Sequence, residues 1–363
     1  MRVGLVIYGS LETLTGGYLY DRALVNYLRA HGDEVEVISL PWRTYSRHLI
    51  DNFSPLLRRR LQNAELDLLI QDELNHPSLF LINRLLKKQL PYPIVTIVHL
   101  LRSSEPRASW LRRMYGAFER QYLKTVDGAI FNCHTTRLTV ERLLKRNLPG
   151  IVAYPGRDQL IPTISVEELT RRALEPGPLR IIFVANVVPN KGLHVLIEAL
   201  NQLPLHSWHL TVVGSLTMNP AYARAIRHQI TRGGFSNHVE MMGAMPHDEI
   251  PGLLARSHLL AVPSYYEAIG MAYLEAMGFG LPVIASTAGG AHEIIAHGEQ
   301  GFLAAPGDAN SIALYLQEIN QDRPRLIEMS LSAYERFQRH PTWEQSLGDI
   351  REYLQTLIKA NST

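Results

Sequence analysis

The stretch Ser264-Tyr-Tyr-Glu-Ala-Ile-Gly-Met-Ala-Tyr-Leu-Glu275 decides how the second half of this chain folds. An apolar run at 259–262 precedes it and predicts a buried strand, which ends in a polar loop carrying Glu267. A helical pattern begins at Gly270, and a second apolar run follows at 282–285. A strand that leads through a loop into a helix leaves backbone N–H groups free to bind an anion such as a diphosphate.

Two carboxylates lie beside this predicted anion site, Glu267 in the loop and Glu275 in the helix. Neither is expected to bind the anion, because like charges repel. An ionised carboxylate only accepts hydrogen bonds, whereas a sugar or a ribose presents hydroxyl donors. The combination predicts a nucleotide-sugar site. From the residues alone, two other roles stay open: Glu267 as a catalytic nucleophile or base, and Glu275 as a partner of the helix dipole.

The length and composition are those of a globular protein with two domains. The chain has 363 residues, of which 46% are hydrophobic and 19% are charged. The single cysteine, Cys133, rules out an intramolecular disulfide and favours a reducing compartment, so we expect a cytoplasmic protein. The apolar start at 3–7 is too short for a signal peptide and is interpreted as a strand. No run of about 18 apolar residues occurs, so no membrane span is expected.

Charge is divided unevenly along the chain. Residues 1–155 carry 21 Lys and Arg against 14 Asp and Glu, a net +7, while residues 156–363 carry 15 against 20, a net −5. Such an excess often serves solubility alone. It also predicts attraction of the first half to an anionic acceptor or to an anionic membrane, here the inner face of the membrane. Zinc-ligand spacing and basic stripes interleaved with aromatic residues are missing from the sequence, which argues against nucleic-acid binding.

Short apolar runs alternate with longer amphipathic segments, as is typical of parallel sheets with helices on both faces. The predicted strands are 3–7, 34–38, 67–70, 94–98, 128–131, 151–153, 180–184, 209–213, 239–241, 259–262 and 283–285. The predicted helices are 18–29, 78–87, 109–124, 135–146, 192–202, 221–231, 247–255, 271–277, 292–297 and a terminal one at 342–358. A break rich in Pro and Gly at 155–178 divides the pattern. We therefore predict an α/β protein of two doubly wound, Rossmann-like domains that face each other across a cleft.

Together these features resemble the family four glycosyltransferases, also called group 1 glycosyltransferases, which have the GT-B fold. Glu267 and Glu275 match the E-x7-E motif of the family, and Gly289-Gly290-x-x-Glu293 follows at the usual distance. The segment 183–192 resembles the family's phosphate segment, G-R-x-x-x-x-K-G. The resemblance covers nearly the whole chain. It implies a retaining glycosyltransferase that uses a nucleoside diphosphate sugar, UDP- or GDP-linked, without a metal or another cofactor.

The resemblance also implies a division of labour between the domains. Residues 1–158, with a C-terminal helix at about 343–363 that crosses back onto them, would form the acceptor-side domain. Residues 159–342 would bind the nucleotide sugar. The acceptor itself, whether a glycan, a lipid-linked sugar or a small molecule, is not identified by the sequence.

The implied donor site combines three charged side chains with backbone groups. Glu267 would hold hydroxyls of the sugar, Glu275 would hold the ribose, and Lys191 would contact a phosphate. A lysine just before a helix is poorly placed unless an anion lies there, because the amino end of a helix is already positive. The other implied donor-site residues are Gly16, Gly17, Asn186, Ala268, Ile269, Gly270 and Met271.

One residue departs from the family pattern. Asn186 stands where the family usually has arginine, so the phosphate site loses one positive charge, which Arg102 or Arg107 would have to replace. This departure leaves open an alternative function, a catalytically weakened protein of the same fold that binds nucleotide sugars. The retained Glu267, Glu275 and Lys191 argue against it.

The first half contributes predicted site residues at the ends of its strands. His99 stands where these enzymes often carry an active-site histidine, and its ring or carbonyl would stabilise the oxocarbenium-like centre. With Glu267 and Lys191 it completes the implied catalytic set. A histidine at a strand end is also often an ordinary polar residue. Four residues are predicted on the acceptor side: Glu73, Asn75, Arg102 and His134. No group of residues has the spacing of a metal site, so none is predicted.

Overall fold

The computed structural model describes residues 1–13 and 15–361. They form two compact units, the first of Met1–Gly156 and Pro341–Thr363 and the second of Arg157–His340. The predicted domain limits at 158 and 342 each lie two residues beyond these divisions.

The first unit contains a six-stranded parallel sheet in the order β2-β1-β3-β4-β5-β6. Its strands are β1 (Arg2–Tyr8), β2 (Glu34–Leu40), β3 (Leu68–Asp72), β4 (Ile94–Val98), β5 (Gly128–Phe131) and β6 (Gly150–Val152). Its helices up to this point of the chain are α1 (Gly16–Ala30), α2 (Tyr45–Asp51), α3 (Pro55–Asn63), α4 (His76–Leu86), α5 (Ser109–Leu123) and α6 (His134–Leu144). The central strands are covered on both faces, which is why they are continuous apolar runs in the sequence.

The side chains of β1 alternate between two cores. Val3, Leu5 and Ile7 pack on one face of the sheet with residues of α1. Val6 and Tyr8 pack on the other face with residues of α4. Successive side chains of a strand point to opposite faces, so a single apolar strand supplies both cores.

The second unit contains another six-stranded parallel sheet, in the order β12-β11-β10-β7-β8-β9. Its strands are β7 (Leu179–Val184), β8 (Trp208–Val213), β9 (Val239–Gly243), β10 (Leu259–Ala261), β11 (Val283–Ser286) and β12 (Gly301–Ala304). Its helices are α7 (Val166–Leu174), α8 (Leu193–Leu200), α9 (Pro220–Arg232), α10 (Ile250–Arg256), α11 (Met271–Gly278), α12 (Ala309–Gln321) and α13 (Arg323–Gln338).

The last helix, α14 (Trp343–Asn361), belongs to the first unit. Leu347, Ile350 and Leu354 on its inner face join the core that contains the α1 side of the sheet. Gly156 allows the start of α14 to approach, because a Cβ atom at this position would lie 2.2 Å from the backbone nitrogen of Trp343. The first unit is therefore completed by a segment far away in the sequence.

Two secondary-structure predictions are wrong. The helix predicted at 292–297 is a single 3-10 turn, Ala291–Glu293, because the chain must reach β12, which the sequence pattern did not reveal. The break predicted at 155–178 contains α7. This helix starts in a capping box in which Ser165 and Glu168 satisfy each other's backbone N–H groups.

Each sheet has a point where the strand order reverses, between β1 and β3 in the first unit and between β7 and β10 in the second. In open α/β sheets, ligands bind beyond the carboxyl ends of the strands at such points. The loops that follow these strands are therefore the candidate sites. Within residues 1–13 and 15–361, none of the helices has the length and apolar character needed to cross a membrane.

Candidate active site

Lys191 and Glu267 meet at the switch point of the second unit. Lys191 follows β7 and Glu267 follows β10, which are neighbouring parallel strands. The Lys191 Nζ atom donates to Oε2 of Glu267 in an ion pair. Both side chains remain partly exposed, at 27% and 19%, so a ligand can reach them. The sequence predicted both as donor-site residues, and the structure brings them together.

Backbone contacts dock the Lys191 loop onto the Glu267 loop. The turn Pro189–Lys191 ends at Gly192, whose φ of +72° lies in the left-handed region. A Cβ atom at Gly192 would lie 2.1 Å from the carbonyl oxygen of Pro263, so a side chain would push the loops apart. The backbone nitrogen of Tyr265 donates to the carbonyl of Asn190 at 2.7 Å. The Lys-Gly sequence therefore sets the position of the lysine.

Gly289 and Gly290 fix the backbone of Glu267. Gly289 has a φ of +107°, and a Cβ atom there would lie 1.7 Å from the carbonyl oxygen of Glu267. The Gly290 nitrogen donates to that same carbonyl at 3.0 Å, and the Glu267 nitrogen donates to the carbonyl of Ala288 at 3.2 Å. The glycine pair thus holds the carboxylate-bearing loop against the end of β11.

The amino end of α11 lies directly after this loop. Gly270 is its N-cap residue, with a φ of +75°, and no side chain caps the helix. A Cβ atom at Gly270 would lie 2.2 Å from the ring of Tyr273. Ala268 and Ile269 are buried, and Met271 is the first residue of the helix. This arrangement is suited to an anion at the first turn, as the sequence indicated for Gly270 and its neighbours.

Glu275, in the second turn of α11, has a partner that the sequence did not reveal. Nε2 of His247 lies 3.1 Å from Oε1 of Glu275. The hydrogen bond to Glu275 raises the pKa of His247 above its ordinary value, against the opposing effect of burial. His247 follows the loop after β9, and only its position after a glycine- and proline-containing loop could have suggested it.

Asn186 ties two loops of the second unit together. Its Oδ1 accepts a hydrogen bond from the backbone nitrogen of Ser215 at 3.2 Å. Ser215 follows β8, so the residue that replaces the family's arginine connects the loops after β7 and β8. The amide therefore has a structural contact that does not depend on a phosphate.

In the first unit, the predicted glycine loop lies against His99. Gly16 and Gly17 form the first turn of α1, two residues earlier than the predicted helix start. A Cβ atom at Gly17 would lie 3.2 Å from Cδ2 of His99, closer than most such contacts. Glycine at this position leaves the imidazole room beside the helix. These predicted residues therefore lie together beyond the carboxyl ends of β1 and β4.

Two buried carboxylates that the sequence analysis missed, those of Asp21 and Asp72, raise the pKa of His99. Nε2 of His99 lies 2.9 Å from Oδ1 of Asp21, whose side chain is fully buried in α1. Burial alone would lower the pKa of His99, but the charges of Asp21, Asp72 and Glu73 outweigh it and raise this pKa to about 9. Burial, followed by the charge of Asp21, raises the pKa of Asp72. The surrounding acids therefore favour the protonated form of the imidazole.

The four predicted acceptor-side residues have different environments. Glu73 and Asn75 are buried in the turn after β3, and the Asn75 side chain donates to the carbonyl groups of Val6 and Asp72 at 3.2 Å. The Arg102 guanidinium lies over two aromatic rings, 5.3 Å from the centre of Tyr45 and 4.9 Å from that of Tyr115. His134 is exposed at the start of α6.

Among residues 1–13 and 15–361, two groups of side chains have potential metal-ligand atoms within 4.8 Å of one another: Asp21, Asp72 and His99, and Glu73, His76 and Glu119. In the first group, Nε2 of His99 is paired with Oδ1 of Asp21. In the second, Nδ1 of His76 lies 3.1 Å from the backbone carbonyl of Glu73, and Nε2 lies 3.0 Å from the Tyr45 hydroxyl. Both nitrogens of His76 are therefore engaged in hydrogen bonds.

Comparison with known proteins bears on both units. Residues 166–336, nearly all of the second unit, match the family model described as "Glycosyl transferases group 1". The second unit is therefore similar in sequence to the group 1 glycosyl transferases. Among curated relatives, the amylovoran biosynthesis glycosyltransferase AmsK of Erwinia amylovora is 32% identical over 189 residues, which are 49% of this chain and 45% of AmsK. The chain thus spans less than half the length of this relative.

Solved structures show the fold of the whole chain. Sucrose-phosphate synthase from Thermosynechococcus elongatus aligns over 99% of both chains with a TM-score of 0.84 and 20% identity. HepE from Anabaena, in complex with UDP, aligns over 98% of this chain and 100% of its own with a TM-score of 0.77 and 23% identity. The predicted two-domain α/β architecture of the GT-B class is confirmed.

Proposed function

We propose that this protein is a retaining glycosyltransferase of family four, which transfers a sugar from a nucleoside diphosphate sugar to an acceptor without a metal ion. The observation that carries the proposal is the Lys191–Glu267 ion pair at the switch point, next to the uncapped amino end of α11. This places a cation, a set of backbone donors and a hydroxyl acceptor on adjacent loops. The match of residues 166–336 to group 1 glycosyl transferases supports the same assignment.

In this proposal the second unit stabilises the departing nucleoside diphosphate. Negative charge develops on the diphosphate as its bond to the sugar breaks. The amino end of α11 and the Lys191 ammonium group lie where they would stabilise that charge, which is usually the largest contribution to catalysis of this kind. Glu275, held by His247, would accept hydrogen bonds from the ribose hydroxyls.

Glu267 is assigned a positioning role rather than that of a nucleophile. Its Oε2 is paired with Lys191, and the Ser264 hydroxyl lies 3.4 Å from the same oxygen. A carboxylate that shares its charge with a lysine is a weaker nucleophile but remains a good acceptor for sugar hydroxyls. Front-face displacement with retention needs no covalent intermediate, and it agrees with this environment.

His99 is assigned to the transferred sugar. As an imidazolium it donates hydrogen bonds, and its pairing with Asp21 fixes the orientation of the ring. The His99 carbonyl accepts from Nδ2 of Asn132 at 2.9 Å, which leaves its second lone pair for an electron-poor sugar carbon. The acceptor-side roles of Glu73, Asn75, Arg102 and His134 belong to the same proposal.

The donor is proposed to be UDP- or GDP-linked, and the UDP complex of HepE supports the first of these. Thermal-shift measurements with UDP-glucose, GDP-mannose and ADP-glucose test this, since a ligand that binds only the folded state stabilises it. Turnover of the stabilising donor should persist in EDTA, and NMR of the product should show the anomeric configuration of the donor. Binding without turnover over a broad acceptor panel would contradict the proposal. The alternative of a catalytically weakened protein is not favoured, because the charged donor-site residues are assembled.

We also propose that the first unit contacts an anionic membrane surface through the segment 42–60. Ile50, Phe53 and Leu56 are 64%, 75% and 80% exposed. The segment has five arginines and one acidic residue, and Arg47, Arg58 and Arg59 are exposed. Exposed apolar side chains flanked by arginines suit the boundary between lipid head groups and acyl chains.

Sedimentation with phosphatidylglycerol vesicles tests this contact. We expect Leu56→Ser to reduce the bound fraction severalfold, while Leu314→Ser, which changes a 64% exposed leucine of α12, has no effect. Equal binding by both variants would contradict the membrane proposal.

A further inference from the structure

The first unit contains an open cavity of about 680 Å³ that is lined mainly by residues of α5. Its polar lining consists of three arginines and two serines, Arg112, Arg113, Arg120, Ser103 and Ser109, and Leu143 of α6 also lines it. The volume lies in the range of pockets that hold small organic ligands. The sequence analysis recognised the basic character of this region but not a cavity.

The charge of this cavity is not neutralised. Its lining includes no carboxylate. Arg112, Arg113 and Arg120 form no ion pair with any residue in the ranges 1–13 and 15–361, whereas nearby Arg107 is paired with Glu105. The buried Nε atom of Arg120 has no hydrogen-bond partner among those residues. A buried donor without a partner is unfavourable, so the Arg120 guanidinium is not fully satisfied by the described residues.

The helix that carries the arginines adds to the positive potential. Arg113 and Arg120 lie on one face of α5, two helical turns apart, and Arg112 lies about a quarter-turn away around the helix. The helix has 15 residues and starts at Ser109, with Ala108 as its N-cap residue and no side-chain cap. The first N–H groups of the helix therefore lack a capping side chain. The Ser109 hydroxyl lies at the same end of the helix.

A hydrogen-bond network links the cavity to the predicted acceptor-side residues. Nε of Arg112 donates to the carbonyl of Ser103 at 3.1 Å. The backbone nitrogen of Ser103 donates to the buried Glu119 carboxylate at 3.0 Å, and the Ser103 hydroxyl donates to its other oxygen. A carboxylate oxygen of Glu119 in turn lies within 4.8 Å of a carboxylate oxygen of Glu73 and of a ring nitrogen of His76. The cavity wall is thus built on the turn that carries Arg102, just after β4.

We propose that this cavity binds a phosphate group of the sugar acceptor. This inference rests on the proposed glycosyl transfer, whose acceptor it narrows to a phosphorylated molecule. Guanidinium groups bind phosphate through paired hydrogen bonds, and three unpaired arginines match the charge of a phosphate monoester or of a phosphodiester with further anionic groups. The phosphate belongs either to a free sugar or polyol phosphate or to a lipid head group.

The test compares wild type with Arg113→Gln/Arg120→Gln. The matched control is Arg84→Gln/Arg146→Gln, which removes the same charge from two exposed arginines of the first unit. Calorimetry at fixed ionic strength measures binding of inorganic phosphate and glycerol 3-phosphate, and sedimentation measures binding to vesicles containing phosphatidic acid. Because Arg120 is half-buried, Arg113→Glu provides a second variant at an exposed position that should fold normally.

We expect the cavity variants to weaken phosphate binding at least tenfold and the control to leave it unchanged. If the variants lose only the binding of soluble phosphates, the acceptor is a free phosphorylated molecule. If they lose only the binding to vesicles, the phosphate belongs to a lipid head group. Equal binding of every probe by cavity and control variants overturns the proposal. Donor-induced thermal shifts are recorded on the same variants. If phosphate binding is lost as expected but no donor is turned over, the proposed function fails while the cavity assignment stands.

Discussion

Each unit has one contact between a basic side chain and a carboxylate near the carboxyl ends of its strands, but the two contacts are assembled differently. They are the Lys191–Glu267 pair of the second unit and the His99–Asp21 pair of the first. Lys191 and Glu267 sit in loops whose positions are fixed by glycines, with both side chains partly exposed. The carboxylate of the first pair is fully buried, and further acids surround it. An exposed pair can open to admit a ligand. In the buried pair, the Asp21 carboxylate mainly sets the charge and the orientation of the His99 ring.

The largest effect is expected at the open pair. Glu267→Gln keeps the size of the side chain but removes the charge that is proposed to accept sugar hydroxyls, and transfer should fall about 100-fold or more. The measurement is the initial rate with the donor identified by thermal shift. Glu240→Gln, at an exposed position of the same unit, is the control. A rate within a few-fold of wild type would remove Glu267 from the site.

An intermediate effect is expected where glycine holds the loop. Gly289→Ala would place a Cβ atom 1.7 Å from the Glu267 carbonyl, so the loop must move and donor-induced stabilisation should be lost. Gly177→Ala is the matched control, since Gly177 has a similar φ of +116° with no atom within 4 Å of the added Cβ. The control should cost only the backbone strain, about 1–2 kcal/mol of unfolding free energy. Retained donor binding in Gly289→Ala would show that the glycine pair does not position Glu267.

The smallest effect concerns the buried pair and its pH dependence. The pKa of His99 in the folded protein, about 9, lies above its ordinary value of about 6.5. The pair's contribution to stability is therefore full below pH ~6.5 and is lost as the pH rises through ~9. Asp21→Asn should lower the His99 pKa by about 1–3 units, and Asp349→Asn, at an exposed position, should not. NMR titration of the imidazole measures this, and an unchanged pKa would separate His99 from Asp21.

The sequence predicted the parallel sheets and the proximity of Lys191 and Glu267 because the signals for both are local. A strand such as Ile94–Val98 is a short apolar run, and the spacing of Glu267 and Glu275 lies within one loop and helix. The surroundings of His99 could not be predicted in this way. Asp21 and Asp72 come from separate elements, and an acid on a helix or at a strand end has no pattern that marks it as buried.

Helices with weak or interrupted patterns were missed for a related reason. The segment 42–60 contains α2 and α3, yet it exposes apolar residues as well as arginines, so its helical periodicity is obscured. The long helices α12 and α13 are separated only by Asp322, which caps the second of them. Their burial depends on the second sheet, whose edge strand β12 was also missed.

The attachment of α14 to the first unit affects the order in which the chain acquires structure during translation. Residues 157–340 contain every strand and helix of the second unit, while the first unit lacks Leu347, Ile350 and Leu354 until the final helix leaves the ribosome. Synthesis proceeds from the amino terminus, so we expect the later-made unit to mature before the earlier one. A nascent chain stalled after residue 340, with a linker filling the exit tunnel, should resist protease over 157–340 while 1–156 is digested.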